Sequence, residues 1–278
     1  MSSPQLQSAL ATLERAIKSE RAILAIAIAV IALLAWGYLV GGAGTGMSVQ
    51  AMTTWRFPPS AETLFGPADW TPRYALMMTS MWFVMMIAMM LPSAAPMMMI
   101  YARVYAQGQR QGQIAGGAVP AGIFAAGYLL CWLAFAIAAT GLQFACEIAG
   151  LVDGMWMWSI SRYLTAGLLI AAGLYQFSAL KRACLNHCRS PASFLSQNWR
   201  PGRSGAFRLG LVHGAYCLGC CWVLMLLLFA GGVMNLVWIA GLTILVLLEK
   251  VAPFGARLTT PIGVLLIAAG VAVAAAAY

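Results

Sequence analysis

The sequence predicts an all-α fold: a polytopic membrane bundle of about seven transmembrane helices, N-terminus cytoplasmic and C-terminus periplasmic. Three observations predict it. Only 8% of residues are charged and 62% are hydrophobic, where a soluble domain carries about 25% charged residues. Mean hydropathy is +0.85, and apolar runs near the ~20 residues that span a bilayer alternate with charged or Gly/Pro-rich breaks. With the N-terminus inside, 13 of the 16 Lys and Arg residues fall on the cytoplasmic side, as the positive-inside rule requires.

The elements follow in order. Residues 1–21 form a cytoplasmic N-terminal segment. Leu6, Leu10, Leu13 and Ile17 are spaced for one face of a short amphipathic helix. No small-residue cleavage site follows a short apolar region, so the segment does not read as a cleaved signal. Residues 22–278 read as a single transmembrane bundle. Its spans are Ala22–Val40, Tyr74–Tyr101, Pro120–Gln143, Met155–Leu180, Phe207–Ala230, Val233–Leu248 and Thr260–Ala277. A turn at Gly231 and Gly232 folds the fifth and sixth into an antiparallel hairpin. The segments Gly41–Thr71, outside, and Lys181–Ala206, inside, read as loops too short to be domains. The net charge of +9 is explained by this topology and implies no nucleic-acid partner. The partner the composition does imply is the lipid bilayer, and the location a bacterial inner membrane crossed several times.

The fifth span carries "HGAYCLGCCW". At 100° per residue with Cys217 at zero, His213 falls at about −40°, Cys220 at about −60° and Cys221 at about +40°. All four share one helix face. Thiolate and imidazole suit soft or borderline metals: Cu(I) first, with Zn(II) or iron as alternatives. Packing is the competing reading, because cysteine is a small buried hydrophobe. Three cysteines beside a histidine in a membrane helix favour a metal, since intramembrane imidazoles are commonly functional.

The fourth span ends in "KRACLNHCRSP", which puts Cys184, His187 and Cys188 at the cytoplasmic mouth. Lys181, Arg182 and Arg189 beside them favour thiolates. The second span holds ten of the 17 methionines. Met78, Met81, Met85 and Met89 lie along one thioether-rich face, suited to passing Cu(I) between weak sites. Met86, Met90, Met97 and Met98 point elsewhere and read as packing. Pro92 and Pro96 each disturb an upstream carbonyl, Ala88 and Pro92 in turn, and such breaks often line a site, to which Ser93 could add an oxygen. Glu249 and Lys250 end the sixth span. Such residues usually snorkel outward, with Glu249 a proton acceptor or ligand at the mouth. Asn235 is a candidate interhelical hydrogen-bonding group. Glu147 and Asp153 read as solvated acids of the outer side, and Cys131 and Cys146 as packing.

Taken together, "MWFVMMIAMMLPSAAPMMMIY", "LKRACLNHCRSP", "HGAYCLGCCWVLMLLLFAGGVMNL" and "LVLLEK" resemble an uncharacterised bacterial family of predicted metal-binding integral membrane proteins. The resemblance covers residues 74–253, which would form the metal-binding core. It implies roles for Met89, Met90, Pro92, Pro96, Cys184, Cys188, Cys217, Cys220, Cys221, Glu249 and Lys250. It also implies a small soluble partner. No nucleotide-binding G-x-x-x-x-G-K-[ST] motif occurs, so any transport would be passive, ion-coupled or partner-driven.

The sequence therefore predicts a membrane protein that handles or translocates a soft metal, copper first, or delivers it to a periplasmic metalloprotein. It is not read as an enzyme. The alternatives are a thiol–disulfide electron conduit through Cys217 and Cys220, and a structural or assembly subunit whose cysteines only pack.

Overall fold

A long apolar helix buries nothing by itself in lipid, so the arrangement of such a chain is set by where its small and polar residues let helices meet. The structure, a computed structural model, describes residues 3–53, 68–114 and 120–276, and for residues 3–21 the backbone alone. Among the described residues the regular secondary structure is helical, apart from an isolated antiparallel bridge between Val152 and Ser159. In chain order the helices are α1 (Ser3–Val40), α2 (Val49–Met52), α3 (Pro72–Arg110), α4 (Ala121–Ile148), α5 (Arg162–Gln176), α6 (Ala179–Arg189), α7 (Pro191–Asn198), α8 (Gly202–Leu226), α9 (Leu228–Gly231), α10 (Leu236–Val251) and α11 (Gly255–Ala275).

Five stretches are long and apolar enough to cross a membrane: Ala22–Val40, Pro72–Arg110, Ala121–Ile148, Gly202–Gly231 and Gly255–Ala275. A sixth results if α5 and α6, which meet at a 63° bend, form one broken span. The fourth predicted span is therefore corrected. Its first residues, Met155 to Ser161, form an irregular segment instead of helix, with Met157 and Ser159 buried. The predicted inner loop is corrected as well, since α6 and α7 occupy much of it. The predicted sixth span appears as α10, 16 residues long. Asn235 starts it as a cap, accepting from the backbone N–H groups of Val237 and Trp238 and donating to Gly231 O at 3.0 Å. The apolar stripe predicted for residues 6–17 consists of side chains outside the described residues.

Helix α3 is central and packs against α1, α4, α7 and α10. It runs for 39 residues through Pro92 and Pro96 without a break. Thr71 caps its start, and Pro72 stands in the first turn, where no intrahelical N–H is needed. Around Pro92, Tyr128 Oη donates to Met90 O at 3.0 Å and Ser93 Oγ donates to it at 2.8 Å. Both bonds fall on Met90 O, which lies between the two carbonyls that the prolines disturb, Ala88 and Pro92.

The pairs α4/α8 and α5/α11 pack most intimately. The α4/α8 crossing depends on Gly210, where an added Cβ would stand 2.0 Å from the backbone oxygen of Phe124. Backbone cannot yield as a flexible side chain does. Gly210→Ala is expected to lower stability by about 1–3 kcal/mol or more through overpacking. Gly122→Ala, on the same helix pair but in open space, should leave the thermal midpoint in detergent unchanged. Equal midpoints for the two variants would contradict this account of the crossing.

Candidate metal centre

The centre forms where α3, α4, α6, α8 and α10 approach one another. The C-x-x-C spacing places Cys217 and Cys220 one turn apart on α8, and with Cys221 all three are buried. The free Cys220 and Cys221 thiols donate to Cys217 O at 3.0 and 3.1 Å. This is the local backbone bonding available to a short polar side chain inside a helix. Tyr128 of α4 brings its hydroxyl to 3.0 Å from Cys217 Sγ.

The bend between α5 and α6 turns the cysteine segment back onto α8. Cys184 is buried and lies over Gly219, where a Cβ would stand 2.8 Å from its sulfur. Tyr175 of α5 donates a short hydrogen bond to Gly219 O. Cys188, one turn further along α6, is partly buried and lies on the same side, beside Cys217 and Cys220 of α8. The two predicted cysteine groups are thus one group in space.

His213 also belongs to this region, one turn before Cys217. It is buried and packed against the rings of Phe124, Tyr128 and Phe194. Its Nδ1 has no hydrogen-bond partner, an uncommon state for a buried imidazole nitrogen. His187 lies elsewhere. Its ring stacks on Tyr216 with centroids 4.2 Å apart, and its Nδ1 lies 2.8 Å from Ala183 O.

Two expectations about α3 and α10 are corrected. Met78, Met81, Met85 and Met89 are all buried, but so are Met86, Met90, Met97 and Met98. A helix with neighbours on several sides has no single inward face. Met90, expected to point away, is the methionine at the centre, with its sulfur 3.9 Å from Cys221 Sγ. Lys250, expected to snorkel, is only 7% exposed. Its ammonium lies 3.0 Å from Cys217 Sγ, 3.8 Å from Met90 Sδ and 3.3 Å from Ser93 Oγ.

Glu249 is also buried and faces the other way, because consecutive helical residues diverge by about 100°. Its carboxylate pairs with Lys181 Nζ at 2.7 Å and accepts from Gln176 Nε2 at 3.1 Å. It therefore serves as the counter-ion of α6. Arg189 adds bonds to Glu249 O at 2.6 Å and Pro253 O at 3.0 Å.

Toward the N-terminal end of α3, Glu147 is buried and not solvated, a further correction. Trp70 Nε1 donates to one carboxylate oxygen at 2.8 Å, and Gln143 Nε2 donates to the other at 2.9 Å. Gln143 is bound in turn by Trp82 Nε1 at 2.8 Å and reaches Met78 Sδ at 3.7 Å. The i, i+4 spacing of Gln143 and Glu147 was the available signal for this pair. Asp153 is buried too, accepting from the N–H groups of Met155 and Trp156.

Among the described residues, no group of three or more His, Cys, Asp or Glu side chains stands arranged to hold an ion. The donor chemistry is nevertheless that of a soft-metal site: four cysteines and a methionine in one buried region, beside an unpartnered imidazole nitrogen. A helical protein with membrane-length spans and a buried sulfur-rich centre is the class these observations define. The comparison with known families narrows it. The family model PpoB2, described as a copper chaperone, matches residues 79–273, and the chain belongs to that family. The match takes in every residue of the centre. No curated protein and no solved structure matches the chain.

Proposed function

We propose that the protein is a membrane-embedded copper chaperone. Cu(I) enters at the cytoplasmic mouth through Cys184 and Cys188 and is held by Cys217 and Cys220, with Cys221, Met90 and His213 adjoining. It then moves along Met89, Met85, Met81 and Met78 towards the periplasmic side, for delivery to a metalloprotein there. In this reading α10 and the bent α5/α6 pair complete seven spans of the inner membrane, with the N-terminus inside. The observation that carries the proposal is the packing of α6 on α8, which seats Cys184 over Gly219 of the C-x-x-C and brings Cys188 beside Cys217 and Cys220. It joins a cysteine from the connecting segment to the C-x-x-C of a buried helix, as capture and holding of a soft ion require.

Copper supplies no reaction here; it is cargo. The chain excludes water from the thiols, presents them from two helices that can part at the α5/α6 bend, and offers thioethers as weaker successive ligands. The test is anaerobic purification followed by metal analysis. The wild type should retain Cu(I) at about one equivalent, and Cys217→Ser/Cys220→Ser should lose it. No copper above background in the wild type would sink the proposal. A reversible thiol–disulfide change without metal would support the electron-conduit reading instead.

A further inference from the structure

The centre contains a fixed positive charge in contact with its sulfurs. Lys250 Nζ touches Cys217 Sγ at 3.0 Å and approaches Met90 Sδ at 3.8 Å. Its neighbour in sequence, Glu249, is bound to Lys181 and Gln176. Among the described residues, the buried ammonium therefore faces sulfur and hydroxyl groups and no carboxylate of its own.

We infer that Lys250 is a specificity-determining residue that sets the charge of the ion the centre accepts, selecting a monovalent soft cation over a divalent one. This rests on the copper reading above and adds to it the reason for Cu(I). Metal-bound cysteines are thiolates. Two thiolates, from Cys217 and Cys220, with one ammonium leave a deficit of one positive charge. Cu(I) cancels it. Zn(II) would leave one positive charge uncompensated in a buried region, where an unpaired charge is strongly unfavourable. Without the ammonium the balance inverts: two thiolates with Zn(II) are neutral, and with Cu(I) they are not. Because both ions have filled d shells and accept sulfur ligands, charge is the variable that separates them.

Lys250 need not be a ligand for this effect. Its charge acts through space on whatever the thiolates hold, and it acts on a divalent ion twice as strongly as on a monovalent one. Arginine at the same position keeps the charge, while methionine or glutamine removes it and keeps a side chain of comparable length.

The test uses the full-length protein in detergent under anaerobic conditions. Association constants are measured for Cu(I) by competition with a Cu(I) chelator, and for Zn(II) by competition with a chromogenic Zn(II) indicator. In Lys250→Met the ratio of Cu(I) to Zn(II) affinity should fall by at least about tenfold, and in Lys250→Arg it should stay near the wild-type value. Co(II) should give a thiolate charge-transfer band in Lys250→Met and none in the wild type. Lys250→Gln supplies the same measurement should the methionine variant misfold. An unchanged ratio in a folded neutral variant that still binds Cu(I) overturns this inference and leaves the copper proposal standing. A wild type that binds neither ion overturns both.

Discussion

Lys181→Met is expected to destabilise the bundle by about 3–5 kcal/mol, because it strands a buried carboxylate. Lys181 and Glu249 have side-chain exposures of 0% and 2% and pair at 2.7 Å. Neither can reach water when its partner is removed. Gln176 retains its bond to the carboxylate, but a neutral amide does not replace a cation. The pair itself need not add net stability, since desolvating two ions offsets much of their attraction. Its removal as a unit is therefore expected to be mild, with Lys181→Met/Glu249→Leu recovering most of the loss. The measurement is the thermal midpoint of each variant in a fixed detergent, read as a double-mutant cycle. A coupling energy near zero would refute the account. Because the pair fastens α6 to α10, and α6 carries Cys184 and Cys188, the single variant should also hold less copper than the double variant.

The same pair shows what the sequence could convey and what it could not. The membrane-length apolar helices are legible because their apolar character marks the composition over hundreds of residues. The shared face of His213, Cys217, Cys220 and Cys221 was legible because helical geometry fixes it locally. Residues 249 and 250 were misjudged as snorkelling because the rule for charged residues at helix ends assumes nearby water. Here one charge meets Lys181 from α6 and the other meets sulfur from α3 and α8, and neither encounter is encoded near position 250. Met90 was misjudged for a related reason. A helix with partners on several sides has no single face that defines inward. The copper assignment came from combining thiols with thioethers, and the family match agrees with it. The meeting of Cys188 with α8 depended on a 63° bend that the local pattern did not announce.

That meeting yields the second large prediction. Cys188→Ser should weaken Cu(I) binding by roughly 10–100-fold, the cost of losing a partner of the metal ligands, because Cys188 lies beside the Cys217 and Cys220 that hold the ion. Serine keeps the size and can keep a hydrogen bond, so the change isolates sulfur as a soft donor. Cys131→Ser and Cys146→Ser are the controls. The Cys131 thiol donates to Leu211 O at 3.3 Å, a packing bond between α4 and α8, and Cys146 lies beside Glu147, at the other end of α4. Cys146→Ser should bind Cu(I) with wild-type affinity in a chelator competition titration, and Cys131→Ser should lose at most a few-fold. Thermal midpoints for all three variants separate lost ligation from lost folding. Cys188→Ser with wild-type affinity would mean that the ion is held by α8 alone, and that the bend between α5 and α6 brings the cysteine there for packing rather than capture.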